Sequence, residues 1–158
     1  MPVAWDTTLV SKLRPGSRAL ALLATRLRST DEVAIPTASI TEAVFGYARA
    51  RRDVDLVWFS RFVASPEIRV ISFSRAAAIA AGHVRARAPF PARPRSRDRR
   101  VKSERRVAWV ADLQIAASAW AVGIPVETEN VADFTLLSDL LAELFPKALP
   151  LEVRPSPL

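Results

Sequence analysis

The stretch from Val107 to Phe134, VAWVADLQIAASAWAVGIPVETENVADF, decides how the rest of the chain is read. Its first part is the most apolar helical pattern in the sequence, and Gly123 stands where a left-handed residue closes a helix. IPVET (124–128) then has the composition of a strand, and FTLLSDLLAELF (134–145) reads as a second helix that stops before Pro146.

The same alternation extends in both directions. VAWD at 3–6, EVAIP at 32–36, IRVIS at 68–72 and LEV at 151–153 are the other strand candidates. Helical patterns lie between them: SRALALLATRLRS with Leu20, Leu23, Ala24 and Leu27 in register, TASITEAVFGYARARR opening on Thr37 or Ser39, DVDLVWFSRFVAS starting at Asp53, and the alanine-rich SRAAAIAAGHVRARA. Strands separated by helices, without Asn-Gly hairpin signals, argue for a three-layer α/β domain with a mainly parallel sheet of four to five strands. Ligands in such sheets sit at the carboxyl ends of strands, which is where Asp6 falls.

At 158 residues the chain suits a single domain. It has no cysteine and a single histidine, His83, so thiol nucleophiles, zinc fingers and iron–sulfur clusters are excluded and any chemistry falls to carboxylates, hydroxyls and arginines. No GxGxxG or GxxxxGK[ST] loop is present among its four glycines. Asp6, Lys12 and Arg14 interrupt the N-terminus before a signal-peptide core forms, and LQIAASAWAVGIPV falls short of the ~20 residues that span a bilayer, so a cytoplasmic protein without membrane contact is expected.

The charge is concentrated. Between Arg85 and Arg106 ten basic residues face two acidic ones, a net +8 in a chain whose total is +7, so the remainder carries −1. A proline-rich loop at about 88–106 therefore reads as a polyanion-binding arm, with Arg93, Arg95, Arg97, Arg99, Arg100, Lys102, Arg105 and Arg106 as its contacts, or else as a solvated loop. A short tail follows at about 154–158.

Acids placed among apolar residues carry the rest of the argument. Glu42 shares a helix face with Phe45 and with Gly46, whose small size would allow close approach; Asp112 shares one with Ile115, Ala116 and Ala119. Burying lone carboxylates costs several kcal/mol or shifts their pKa, so their repetition suggests a hard divalent cation, Mg²⁺ or Mn²⁺. Each acid also has a plainer reading: Asp6 caps a turn with Thr8, Glu42 pairs with Arg49, and Asp112 pairs with Arg105 or Arg106. The four tryptophans read as core, and the stripe of Val57, Phe59 and Phe62 as a surface for a homodimer or a partner segment.

As a set, these motifs resemble the PIN-domain family, in particular the toxin ribonucleases of VapBC toxin–antitoxin pairs. VAWDTTLV is similar to the family's opening strand with its Asp-Thr pair, PTASITEAVFGYARA to the helix whose Glu follows Ile-Thr, and VADLQIAASAWAVGIPVETENVADF to its Asp-x-x-Ile-Ala-Ala helix, Gly, strand and Asn-x-x-Asp-Phe run. The resemblance covers about residues 3 to 135. It departs at Thr8, where Asn or Ser is common, at Glu129, where a basic residue is common, and in the length of the basic arm.

The resemblance implies a PIN-like fold and a catalytic, metal-binding cluster of Asp6, Glu42, Asp112 and Asp133, with Thr7 bonding within the site and Asn130 bracing the loop that carries Asp133. It implies Mg²⁺- or Mn²⁺-dependent hydrolysis of RNA, with Asp6 and Asp112 as ligands and Glu42 and Asp133 completing the cluster or orienting the nucleophile. A cognate antitoxin and a homodimer are the implied partners. Alternatives are an inactive RNA-binding module on the same fold and a PIN nuclease of RNA maturation or one acting on DNA.

Overall fold

A computed structural model describes residues 1–91 and 99–158. The chain runs β1 (Val3–Trp5), α1 (Thr7–Val10), α2 (Arg18–Arg26), β2 (Val33–Pro36), α3 (Thr37–Arg49), α4 (Asp53–Val63), β3 (Arg69–Ile71), α5 (Arg75–Arg87), α6 (Lys102–Ala121), β4 (Val126–Thr128), α7 (Val131–Leu144) and β5 (Val153–Pro155). All five strands pair in parallel in the order β3-β2-β1-β4-β5, in agreement with the α/β reading and with a PIN-like fold.

Alternation along the strands builds two cores. Val3, Trp5, Val33 and Ile35 face one side of the sheet, where Leu9, Leu13, Leu23, Tyr47 and Phe59 close over them from α1 to α4. Ala4, Ala34 and Val126 face the other side, where small strand residues let α5, α6 and α7 approach with Trp109, Ile115, Phe134 and Leu141. The chain builds outward from β1 through β2 to β3, then returns to the other edge of β1 with β4. The order of the sheet therefore reverses between β1 and β4, which makes their carboxyl ends the switch point where sheets of this kind place a ligand.

Local signals explain most boundaries. Helix α6 ends in a Schellman arrangement: Gly123 takes φ 69°, its amide donates to Trp120 O, and the Ile124 amide donates to Ala119 O. Ser17 and Ser74 cap α2 and α5 through the amides of Leu20 and Ala77. The strand expected at 151–153 pairs at 153–155 instead, because Leu151 is drawn into the core while Val153 takes the register opposite Val126; Pro155 is tolerated on this edge strand.

Three expectations need correction. The arm at 88–106 is not loop throughout, since α6 begins at Lys102, where helix-forming Lys, Glu and Arg follow the last proline and Glu104 accepts the Val101 amide. Phe59 is fully buried against Tyr47, with ring centroids 5.5 Å apart, so it cannot join Val57 on a surface stripe. Gly46 faces open space and serves no close approach. Arg93, Arg95 and Arg97 lie outside the described residues. Among the described residues no helix is long and apolar enough to cross a membrane.

Gly123 and Gly82 should respond oppositely to the same substitution. Gly123→Ala places a Cβ in left-handed backbone and is expected to cost about 1 kcal/mol in urea denaturation. Gly82→Ala, inside α5 with open space around it, is expected to gain about 0.5 kcal/mol or more.

Candidate functional site

At the switch point a carboxylate and two hydroxyls meet the turn after β4. Asp6 ends β1 and caps α1, its Oδ1 accepting from the Leu9 amide at 3.3 Å. The same oxygen accepts from Thr8 Oγ1 at 2.6 Å, and Thr8 Oγ1 accepts in turn from the Glu129 amide at 3.2 Å. Oδ2 accepts from Thr128 Oγ1 at 2.7 Å, and that hydroxyl accepts from the Asn130 amide at 2.8 Å. Two threonine relays therefore fasten the β4–α7 turn to the two oxygens of Asp6.

Asn130 carries the network to the other acids. Its Nδ2 donates to Asp133 Oδ2 at 2.7 Å and to Asp112 Oδ2 at 3.2 Å, joining the first turn of α7 to the middle of α6. Asn is a preferred helix cap, yet Asn130 at the N-cap of α7 makes no side-chain cap bond. Its amide hydrogens are given to the carboxylates instead, which also fixes the orientation of the amide: the flipped form would set Oδ1 against two acceptors.

Of the four acids expected from the sequence, Asp6, Asp112 and Asp133 are thus linked through Thr128 and Asn130. Asp6 does cap a turn and bond Thr8, so its plainer reading and its place in the network hold together. Glu42 stands apart. It is half-buried on α3, has no hydrogen bond or ion pair among the described residues, and lines a hollow of about 490 Å³ with Phe45, Arg49, Arg100 and Val107. Arg49 pairs with Glu104 at 3.5 Å and not with Glu42. Ala108, one helical turn before Asp112, lines the same hollow and connects it to the network.

Thr7 differs from its expected role: Thr8 supplies the hydroxyl to Asp6, while Thr7 Oγ1 is buried without a partner. Asn130 Oδ1 is likewise buried and unpartnered. These two orphaned oxygens and three linked carboxylates make an all-oxygen donor set, which fits a hard divalent cation whose waters need acceptors. Among the described residues no three acids already converge as a cage. Mg²⁺ does not require one, because it keeps several waters and commonly uses one or two carboxylates.

Burial pushes the Asp6 carboxyl above its ordinary value of 3.8, against the opposing pull of the Thr128 and Thr8 hydroxyls and of the Leu9 and Thr8 amides. Burial likewise raises Glu42, with no partner to offset it. Both side chains thus hold their protons more tightly than a free carboxyl does.

Behind the site lies a triad with no counterpart in the sequence reading. Glu127 Oε2 accepts from Trp5 Nε1 at 2.8 Å and from Arg26 Nη1 at 2.7 Å, on the sheet face opposite Asp6 and Thr128. It fixes the register of β1 against β4, one residue from each relay partner. The sequence signal was a Glu and a Thr at the carboxyl end of a strand; nothing in it pointed to Arg26. Glu129, where the family pattern has a basic residue, pairs with Lys12 at the surface.

No family model matches the chain, and no curated protein matches it. Solved structures do. A VapBC2 from Rickettsia felis bound to a DNA fragment from its promoter superposes with a TM-score of 0.62 at 15% identity, over 98% of each chain. A DNA-bound VapBC from Salmonella typhimurium gives 0.60 at 17% over 98% of each, and FitAcB from Neisseria gonorrhoeae 0.57 at 20% over 97% of this chain and 96% of that one. This chain has their fold. The PIN-like fold therefore extends over nearly the whole chain, with the β1–β4 switch point at its centre.

Two stability changes are expected from the geometry. A raised native pKa favours the protonated fold, so the contribution of Asp6 is full below 3.8 and is lost as pH rises through its native value. In EDTA, the melting temperature of the wild type relative to that of Asp6→Asn should therefore be highest below pH 3.8 and fall towards pH 7. Arg26→Met leaves Glu127 buried and short of its cation, at a cost of about 3 kcal/mol in chemical denaturation, and adding Glu127→Gln should recover most of it.

Proposed function

We propose that this chain is the toxin of a toxin–antitoxin pair and acts as a metal-dependent endoribonuclease. The observation that carries the reading is the linkage of Asp6, Asp112 and Asp133 by Thr128 and Asn130 at the sheet's switch point. The similarity in fold to VapBC and FitAcB chains supports the toxin assignment and with it an antitoxin as partner; a homodimer as the working unit and action in the cytoplasm belong to the same proposal.

In this reading Asp6 and Asp112 hold Mg²⁺ or Mn²⁺, directly or through water, and Glu42 and Asp133 complete the cluster or orient the nucleophile. The cation supplies Lewis-acid activation of water and offsets the charge that develops on the phosphodiester. The chain's own residues do the rest. Asn130 keeps Asp112 and Asp133 a fixed distance apart, and the threonine relays hold Asp6 against the turn, so no reorganisation is needed when substrate arrives. Glu42, whose carboxyl burial raises above its ordinary value, lines the hollow between α3 and α6 and would be suited to giving or taking a proton there. Arg99, Arg100, Lys102, Arg105 and Arg106, with Arg93, Arg95 and Arg97, offset the repulsion between phosphates and an acidic site.

The deciding experiment is cleavage of a structured RNA pool by purified protein in Mg²⁺ or Mn²⁺, in EDTA, and with Asp112→Asn. Cutting should require the metal and fall on the order of 100-fold in the variant. Cutting that survives EDTA, or that the variant retains, would sink the proposal. Mn²⁺ should also raise the melting temperature of the wild type and not that of an Asp6→Asn, Asp112→Asn double variant. Expression should arrest growth in a way that Asp112→Asn abolishes.

A further inference from the structure

Outside the carboxylate network, the end of α5 and the start of α6 form a second polar and aromatic feature. Trp109 Nε1 donates to Ala88 O at 2.8 Å, which pins the segment leaving α5 onto α6. Phe90, two residues on, is thereby laid against the first two turns of α6. The Arg106 guanidinium sits over its ring at 4.2 Å from the centroid and the Lys102 ammonium at 5.9 Å, while 40% of Phe90 stays exposed. Phe90, Pro91, Lys102, Arg105 and Arg106 line a hollow of about 170 Å³.

An exposed phenylalanine fixed beside cations is poorly explained as core. It contributes little to either apolar cluster. Nor is the charge around it needed to neutralise protein acids, since Lys102, Arg106 and Arg85 have no acidic partner among the described residues. Arg106 is shared: it also lines a second hollow, of about 270 Å³, with Glu42, Arg85 and Gln114. The aromatic platform and the groove that holds Glu42 are therefore neighbours, joined by one arginine.

With a guanidinium over the ring, the part of Phe90 that stays exposed can take the flat face of a nucleobase while the cations beside it take the neighbouring phosphate, and a base can stack there only if it is free of its own duplex. We propose that Phe90, backed by Arg106 and Lys102, is a stacking platform for one unpaired base of the RNA, beside the groove that Glu42 lines. The inference rests on the ribonuclease reading and adds to it a base-contacting residue outside the carboxylate network.

The test uses the full chain in EDTA, so that binding is read without cleavage, with two labelled probes of equal length: an oligouridylate and its abasic ribose-phosphate counterpart. Fluorescence anisotropy should show the wild type binding the intact strand about tenfold more tightly than the abasic one. Phe90→Leu should erase that preference by weakening only the intact strand, and Phe90→Tyr should keep it. Because Phe90 is largely outside the core, both variants should melt near the wild type. Equal binding of intact and abasic strands by the wild type would show a phosphate site alone and overturn the platform, as would a Phe90→Leu variant that keeps the preference. If the wild type cuts RNA with metal yet Phe90→Leu binds unchanged, only this inference falls. If the wild type neither binds nor cuts RNA, the nuclease reading falls with it.

Discussion

Asp6 is the point on which the site hangs. Each of its oxygens is held by a threonine hydroxyl, Thr8 on one side and Thr128 on the other, and each hydroxyl is held by a backbone amide of the turn after β4. A hydroxyl can donate to a carboxylate and accept from an amide at once, which makes threonine suited to this place. The arrangement binds the first strand of the chain to a turn more than 120 residues later. Once that turn is fixed, so is Asn130, and with it the relation of Asp112 to Asp133.

Several local rules are broken here, and all in the same place. Asn130 gives up a helix cap normally worth about 1 kcal/mol, Asp6 is buried against a desolvation penalty, and Thr7 and Asn130 each leave an oxygen unpaired. Serine caps, a glycine terminator and strands that alternate between two apolar faces follow local rules elsewhere, while Arg51, between α3 and α4, takes a left-handed φ of 54°. Exceptions gathered around one carboxylate are what a functional site is expected to show.

The scaffold behind the site acts through strand register. Trp5 and Glu127 are partners across β1 and β4, and so the next residues, Asp6 and Thr128, must meet on the opposite face. A slip of one residue would exchange the faces and bury the wrong pair. The Arg26–Glu127–Trp5 triad makes such a slip expensive, because it would strand a buried carboxylate without its partners.

The sequence by itself determined most of the strands and helices, because each is a local matter: apolar periodicity, serine caps and a left-handed Gly123 act within a few residues, whereas the one-turn α1 and the register of β5 were not legible. It also singled out Asp6, Glu42 and Asp112, since a carboxylate interrupting an apolar pattern is visible without a partner; Asp133 came from the family resemblance. The start of α6 at Lys102 was obscured because charge density reads as loop, whereas Lys, Glu and Arg are good helix formers once prolines cease. Only tertiary structure decided the rest. That Thr8 and not Thr7 bonds Asp6, that Asn130 spans two acids, that Glu42 has no partner among the described residues, and that Arg26 meets Glu127 all depend on side-chain directions across elements far apart in the chain. Such contacts follow from the crossover that brings β4 beside β1, and no periodicity within a single segment encodes them.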